Sequence, residues 1–131
     1  MARTIEPVGR GDAVRARVPD VLRSYVETRA SVLERGLVEP ELKRRCFALL
    51  AGDEAAPGEA ADERTQAALD WAQAIAWDAE LADDALWERL HRHYTHPELV
   101  ELGYYLAFTL GQLHWLRTLS LRPPDLHRTA F

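Results

Sequence analysis

The chain has 131 residues, of which 47% are hydrophobic and 28% charged, and its formal net charge is −5 at pH 7. This length suits a single domain with a core of its own. The acidic balance argues against a broad surface for nucleic acid or for an anionic membrane. The only cysteine, Cys46, excludes a disulfide within the chain and fits a reducing, cytoplasmic location. The first twelve residues contain no apolar run, so we expect no signal peptide.

The first two predicted helices follow an N-terminal arm, residues 1–12, that mixes charge with Gly and Pro. Apolar residues at steps of three and four predict a helix from Pro19 to Arg35, and Gly36 provides a C-terminal stop. Pro40 begins the second helix, because proline is tolerated in a first turn. The apolar stripe of this helix comprises Leu42, Cys46, Leu49 and Leu50, while Lys43, Arg44 and Arg45 lie mostly off it.

Two more helices are predicted after an acidic segment rich in Ala and Gly. That segment, residues 52–61, has no apolar periodicity and predicts an exposed loop. Asp62 can cap the third helix and Asp83 or Asp84 the fourth, since a short acidic side chain accepts hydrogen bonds from a first turn. No stretch alternates as a strand does. The sequence therefore predicts an all-α bundle of about five helices, forming one domain over residues 13–131.

The last predicted helix carries the clearest start signal. Thr95 and Glu98 have the spacing of a capping box. From Leu102 to Leu116 the helix is apolar nearly all round, which indicates burial on several sides, either within the chain or against a second copy. Small residues four apart form a strip that another helix can approach closely. The candidate residues of a homo-oligomer interface are Gly103, Ala107, Phe108 and Gly111.

Few residues of the sequence are candidates for catalysis, metal binding or ligand binding. The five histidines include no HExxH pair, and His91 and His93 point apart on a helix, so we predict no metal site and no cofactor. His114 lies beside Trp115 in an apolar helix and is the best general acid/base candidate, although a core or interface histidine is the commoner role there. The candidate lining of a pocket for a small organic ligand is Trp71, Tyr105, His114 and Trp115.

Cys46 raises the question of a reactive thiol. It falls on the apolar stripe of its helix, and unoxidised cysteine is among the most buried residue types. An apolar helix interior raises the pKa of a thiol and suppresses the reactive thiolate. We therefore expect Cys46 to be buried and inert.

Two stretches of the chain resemble carboxymuconolactone decarboxylase/AhpD-like proteins. The opening of that family is similar to "VLRSYVETRASVLERGLVEPELKRRCFALLAG". Its second half is similar to "DERTQAALDWAQAIAWDAELADDALWERLHRHYTHPELVELGYYLAFTLGQLHWLRTLSL". The resemblance covers most of the chain, and it implies a helical bundle that associates into oligomers through its helical faces.

The chain departs from this family where the redox chemistry would lie. The redox members carry a C-x-x-C…H motif on a helix after the "GLVEPEL" turn, with a proton-relaying glutamate upstream. Here the chain passes from Gly52 through the acidic loop to the third helix, so that motif is missing. The relay glutamate would fall near Arg44, and Cys46 lies too early to be either cysteine. A disulfide cycle needs a second thiol, and no catalytic residue is carried over.

The sequence thus predicts an AhpD-like protein of bacterial type without the thiol redox site. We expect a soluble, cytoplasmic homo-oligomer that binds a small molecule or acts as a scaffold, with no nucleic acid or membrane partner. Whether it is an enzyme stays open. One alternative is a non-thiol enzyme of the carboxymuconolactone decarboxylase type with His114 as acid/base. The other is weak peroxidase-type activity through Cys46 and an external reductant.

Overall fold

A computed structural model describes residues 9–52 and 60–121, and within them the chain forms six α-helices and no strand. These are α1 Arg10–Arg15, α2 Pro19–Arg29, α3 Pro40–Ala51, α4 Glu63–Trp77, α5 Asp84–His93 and α6 His96–Thr118. A π-helical turn, Ala30–Glu34, continues α2, and a 3-10 turn, Ala79–Leu81, follows α4. The all-α prediction is confirmed, and each of the five predicted helices has a counterpart. Most of the predicted loop at residues 52–61 lies outside the described residues.

The helices begin where the capping residues predict. The carboxylates of Asp62 and Asp83 each accept a hydrogen bond from the backbone N–H three residues further on, at 2.8 and 2.9 Å. Asp83, not Asp84, is therefore the cap of α5. Thr95 and Glu98 form both hydrogen bonds of a capping box at the start of α6. These side chains satisfy N–H groups that a helix leaves without a partner in its first turn.

The core lies between α3, α4 and α6. Helix α6 packs against both of the others and against the π-helical turn. Its inward side buries Leu99, Leu102, Tyr105, Leu106, Leu113 and Leu116. Helix α3 contributes Leu42, Cys46 and Leu50, and α4 contributes Ala67, Ala68 and Ala72. The alanines leave little side-chain bulk between the helices, so their axes can approach closely.

Helix α1 begins inside the segment predicted to be an arm. Asp12 is fully buried, and its carboxylate lies 3.0 Å from Nη1 of Arg15 in an ion pair one turn apart. The last three residues of the predicted arm, Arg10 to Asp12, thus belong to a helix in the structure. Residues 1–8 lie outside the described residues.

Lys43 is the main departure within α3, because its side chain is fully buried instead of lying off the apolar stripe. Its ammonium donates to the carboxylate of Glu101 at 2.9 Å and to the carbonyl of Val32. The same carboxylate accepts the N–H groups of Leu37 and Val38, each at 2.8 Å. Glu101 therefore links α6 to the turn before α3. Within the described residues, no helix is both long and apolar enough to cross a membrane.

Candidate functional site

A cleft of about 290 Å³ lies between α1, α2 and α6. Its lining residues are Arg15 from α1, Asp20, Val21, Ser24 and Tyr25 from α2, and Phe108, Gln112 and Trp115 from α6. Small-molecule sites in proteins span roughly 300–1,000 Å³. The volume therefore suits a ligand about the size of a single ring.

Arg15 lies at the base of this cleft and is only 3% exposed. Its Nε and Nη2 donate to Oε1 of Gln112 at 3.1 and 2.7 Å, and Nη1 donates to Asp12 at 3.0 Å. The guanidinium lies over the ring of Tyr25, 3.5 Å from the centroid. Burial lowers the pKa of Arg15, and the Asp12 carboxylate acts in the opposite direction. An arginine nevertheless stays protonated in proteins, so the cleft contains a fixed, oriented cation.

The walls of the cleft are aromatic. The rings of Tyr25 and Phe108 stack with their centroids 5.7 Å apart. The indole of Trp115 lies on the same side, 5.9 Å from the guanidinium carbon of Arg15. Burial raises the pKa of Tyr25, while the cations of Arg15 and Arg29 oppose that rise. The cleft thus combines a cation at its base with flat apolar walls.

The polar groups that remain available in the cleft include donors, a hydroxyl that can donate or accept, and the exposed carboxylate of Asp20. Since Oε1 of Gln112 already accepts from Arg15, the other end of that amide is the Nε2 donor. In the part of the chain that the structure describes, Gln112 Nε2, the Ser24 hydroxyl and the Trp115 indole N–H have no partner. The Asp20 carboxylate at the rim pairs instead with Arg23.

The predicted pocket residues do not converge on this cleft, and only Trp115 lines it. Tyr105 is fully buried, and its hydroxyl donates to a backbone carbonyl of α3 at 3.1 Å. Ten residues separate it from Trp115, which is about 15 Å along a helix axis. Trp71 packs against Gly103 between α4 and α6. His114 lies on the exposed side of α6.

Sequence reasoning did not single out Arg15, Tyr25 or Gln112. One signal for Gln112 was present, because it is a polar residue within the apolar run of the last helix. Arg15 and Asp12 were also three apart, the spacing of a helical ion pair. No local sequence pattern indicates that α1, which carries Arg15, lies near α6, which carries Gln112.

The prediction of a buried Cys46 is confirmed. The thiol is fully buried in the core, and burial raises its pKa to about 12, while Arg45 acts weakly in the opposite direction. At neutral pH the thiolate, which is the nucleophilic form, is therefore scarce. Inertness towards oxidants and alkylating agents remains a prediction.

The histidines at the junction of α5 and α6 lie near the surface. The rings of His91 and His96 meet edge to face with centroids 5.4 Å apart, and Nδ1 of His91 lies 2.8 Å from the Trp87 carbonyl oxygen. His93 lies 3.5 Å from the carboxylate of Glu63. Over residues 9–52 and 60–121, no group of three or more His, Cys, Asp or Glu side chains could hold a metal ion.

The outer side of α6 forms a continuous exposed face, which we call the α6 seam. It comprises Val100, Tyr104, Ala107, Gly111, His114 and Thr118, all exposed and alternating at steps of four and three. Val100 is 73% exposed, and no described atom lies within 4 Å of the position that a Cβ on Gly111 would take. Of the predicted interface residues, Ala107 and Gly111 belong to this seam. Gly103 is instead covered by Trp71, and Phe108 lines the cleft.

Comparison with protein-family models, curated proteins and solved structures found no match to this chain. The resemblance to AhpD-like proteins therefore stays a prediction based on the two quoted stretches.

Proposed function

We propose that this protein is a binding module that takes a small organic molecule into the cleft between α1, α2 and α6. The observation that carries the proposal is the buried guanidinium of Arg15 beneath aromatic walls. Arginine is seldom this buried. Here its hydrogen bonds to Gln112 and Asp12 hold it in place before any ligand arrives. Such preorganisation lowers the entropy lost on binding.

The enzymatic alternatives have less support in the described residues. His114 does not line the cleft, so an acid/base role there would need a substrate on the exposed side of α6. Cys46 is enclosed by the core and has a raised pKa, which disfavours thiol chemistry. A binding role needs neither residue.

Thermal shift against single-ring aromatic acids, amides, lactones and alcohols tests the binding role. A ligand that binds only the folded state stabilises it by about 2.7 kcal/mol at a concentration of 100 Kd. We expect Trp115→Ala to abolish the shift. The matched control is Trp77→Ala, because Trp77 is 61% exposed at the end of α4 and does not line the cleft. No shift with any compound, or equal shifts in both variants, would overturn the proposal.

We further propose that a second copy of this chain covers the α6 seam. Apolar helix surface left in water is an association hazard. The residues of the seam are also spaced symmetrically about its centre, so the seam can pair with its own copy. A two-fold axis near residue 109 would place Val100 opposite Thr118, Tyr104 opposite His114, and Ala107 opposite Gly111 of the other copy. The smallest residues would meet at the centre, where the helices approach most closely. Antiparallel packing also brings opposite ends of the two helix dipoles together.

Sedimentation equilibrium at micromolar concentration tests this assembly. We expect the wild type to be a dimer and Ala107→Trp to be a monomer, because an indole overfills the centre of the seam. Ala107 is exposed, so the variant should fold. Ala85→Trp, on the exposed side of α5, is the matched control and should remain dimeric. A monomeric wild type would refute the proposal.

A further inference from the structure

We propose that the cleft is a site shared between two copies of this chain, in which Tyr104 of the second copy forms an aromatic wall at the cleft mouth. This inference rests on the ligand cleft and on the α6 seam assembly proposed above. Three observations on the described residues support it: the seam and the cleft meet, the surface where they meet is apolar, and the spacing along α6 is symmetric.

The seam and the cleft meet along one edge of α6. Tyr104 belongs to the seam, and its ring is nearly parallel to that of Phe108, with centroids 6.4 Å apart. Phe108 lines the cleft, where its ring stacks on Tyr25. Trp115 also lines the cleft and directly follows His114 of the seam. A helix that packs on the seam therefore runs beside the cleft.

The surface along this edge is exposed and apolar. Tyr104 is 56% exposed, Trp115 is 40% exposed, and Val21, which lines the cleft from α2, is 45% exposed. No Asp, Glu, Lys or Arg occurs between Leu102 and Leu116, although one side of that stretch faces outward. The centres of protein interfaces are depleted of charge and enriched in Tyr and Trp. The edge thus has the composition of an interface centre.

Antiparallel packing about residue 109 brings Tyr104 of one copy to the cleft of the other. Tyr104 lies before residue 109 by about as many positions as Trp115 lies after it. A two-fold axis therefore places these two residues at almost the same level along the paired helices. Their directions from the helix axis differ by only about 20°, since each residue advances by about 100°. Both lie on the cleft side of the seam, so Tyr104 of the second copy adjoins Trp115 at the cleft mouth.

This arrangement couples assembly to ligand binding. Each of the two sites has walls from Tyr25, Phe108 and Trp115 of one copy and from Tyr104 of the other. Small-molecule sites bury most of the ligand and occur preferentially where two domains meet. A ligand held by both copies stabilises the dimer, and the dimer strengthens ligand binding by the same factor, because such coupling is reciprocal.

Cysteine cross-linking tests the geometry without a ligand. Tyr104→Cys and Trp115→Cys, mixed, allowed to exchange subunits and oxidised with diamide, should give a disulfide-linked dimer. Either variant alone should not, because its two engineered cysteines lie about 15 Å or more apart along the pair, too far for a disulfide. The matched control replaces Tyr104→Cys with Ala85→Cys, on the exposed side of α5. No link in the first mixture, or equal links in the control, would overturn the inference.

Calorimetric titration of mixed variants tests the shared site. Benzoate, benzamide and benzyl alcohol serve as probes, so that the charge of the ligand is not presupposed. Tyr104→Leu keeps an apolar contact in the seam but removes the ring, and like Trp115→Ala it should weaken binding at least about tenfold. A 1:1 mixture of the two variants should recover sites on about one quarter of the chains. Half of the dimers are then mixed, and one cleft in each mixed dimer retains both rings.

The outcomes separate this inference from the proposed binding function. If a probe binds the wild type but mixing recovers no sites, Tyr104 acts only within its own chain, so the inference fails and the binding function stands. If neither these probes nor the thermal-shift compounds bind the wild type, both fail. A monomeric wild type would overturn the inference together with the seam assembly, and would leave the cleft as a site within one chain.

Discussion

Replacing Glu101 with Gln should destabilise the protein strongly, because its carboxylate balances a fully buried ammonium. Lys43 Nζ lies 2.9 Å from this carboxylate, and the N–H groups of Leu37 and Val38 each lie 2.8 Å from it. The variant keeps the shape of the side chain and one acceptor oxygen. It leaves Lys43 without a countercharge inside the core.

The size of the effect follows from burial. Removing one partner of a buried ion pair costs about 3–5 kcal/mol. Because the Glu101 side chain is 16% exposed, we expect the lower part of that range, about 3–4 kcal/mol. An unfolding entropy of about 2.1 cal/mol/K per residue gives roughly 0.28 kcal/mol/K for 131 residues. The melting temperature should therefore fall by about 11–15 °C.

The pH dependence adds an independent check. Burial alone would raise the pKa of Glu101, but the Val38 N–H, the Lys43 ammonium and the Leu37 N–H outweigh it and hold that pKa below its ordinary value. A carboxylate with a lowered folded-state pKa stabilises the protein above its unfolded pKa and loses that contribution as the pH falls through the folded value. The deficit of Glu101→Gln should therefore be full at neutral pH and shrink below about pH 4.5.

Urea unfolding at several pH values measures this deficit. Asp70→Asn is the matched control, since Asp70 lies 2.8 Å from Arg89 in a pair whose side chains are each about one third exposed. Exposed pairs contribute about 0–1 kcal/mol. If Glu101→Gln costs no more than this control, the reasoning from burial is refuted. In Lys43→Met/Glu101→Gln the cost should be largely recovered, because neither charge is then left unpaired.

Three further predictions concern Cys46 and Gly36. A maleimide should label Cys46 at pH 8 far more slowly in the folded protein than in denaturant. The reason is that a pKa of about 12 instead of 9 lowers the thiolate fraction about 1,000-fold. Stoichiometric labelling of the folded protein within minutes would contradict this. Cys46→Ser should cost about 1–2 kcal/mol, measured by urea unfolding, for burying a hydroxyl in place of a thiol. Gly36→Ala should also lower the melting temperature, because the alanine Cβ would lie 2.4 Å from Glu101 Oε1 and 2.5 Å from Lys43 Nζ. An unchanged melting temperature would contradict this and would show that the turn can shift to admit a methyl group.

Local signals predicted the helices well because they act within a few residues. The caps of α4, α5 and α6 each involve atoms three residues apart, and periodicity within one turn defines an apolar face. The same locality explains what was missed. Lys43 follows the pattern of a solvent-facing residue, and its partner Glu101 is 58 residues away. The π-helical turn Ala30–Glu34 likewise has no distinct sequence pattern, so the first helix was predicted as regular throughout.

The candidate site was less predictable than the fold for the same reason. Arg15 and Gln112 are 97 residues apart, and they are neighbours only because the fold brings the end of α1 within side-chain reach of α6. The aromatic residues chosen from the sequence were those in apolar surroundings. Such residues are more often core than pocket, and Tyr105 is an example because it is fully buried.

Helix α6 shows that an apolar sequence around the whole circumference of a helix does not indicate what covers each of its sides. One side is buried in the core, a second side forms a wall of the cleft, and the third is the α6 seam. The three sides differ in the residues that interrupt the apolar pattern. Gln112 marks the cleft, where its amide holds Arg15. Ala107 and Gly111 mark the seam, where small side chains leave room for another helix. The core side is occupied by leucines, by Tyr105 and by Thr109, which is fully buried. On the two sides of α6 that face the cleft and the seam, the interruptions are therefore more informative about function than the apolar residues are.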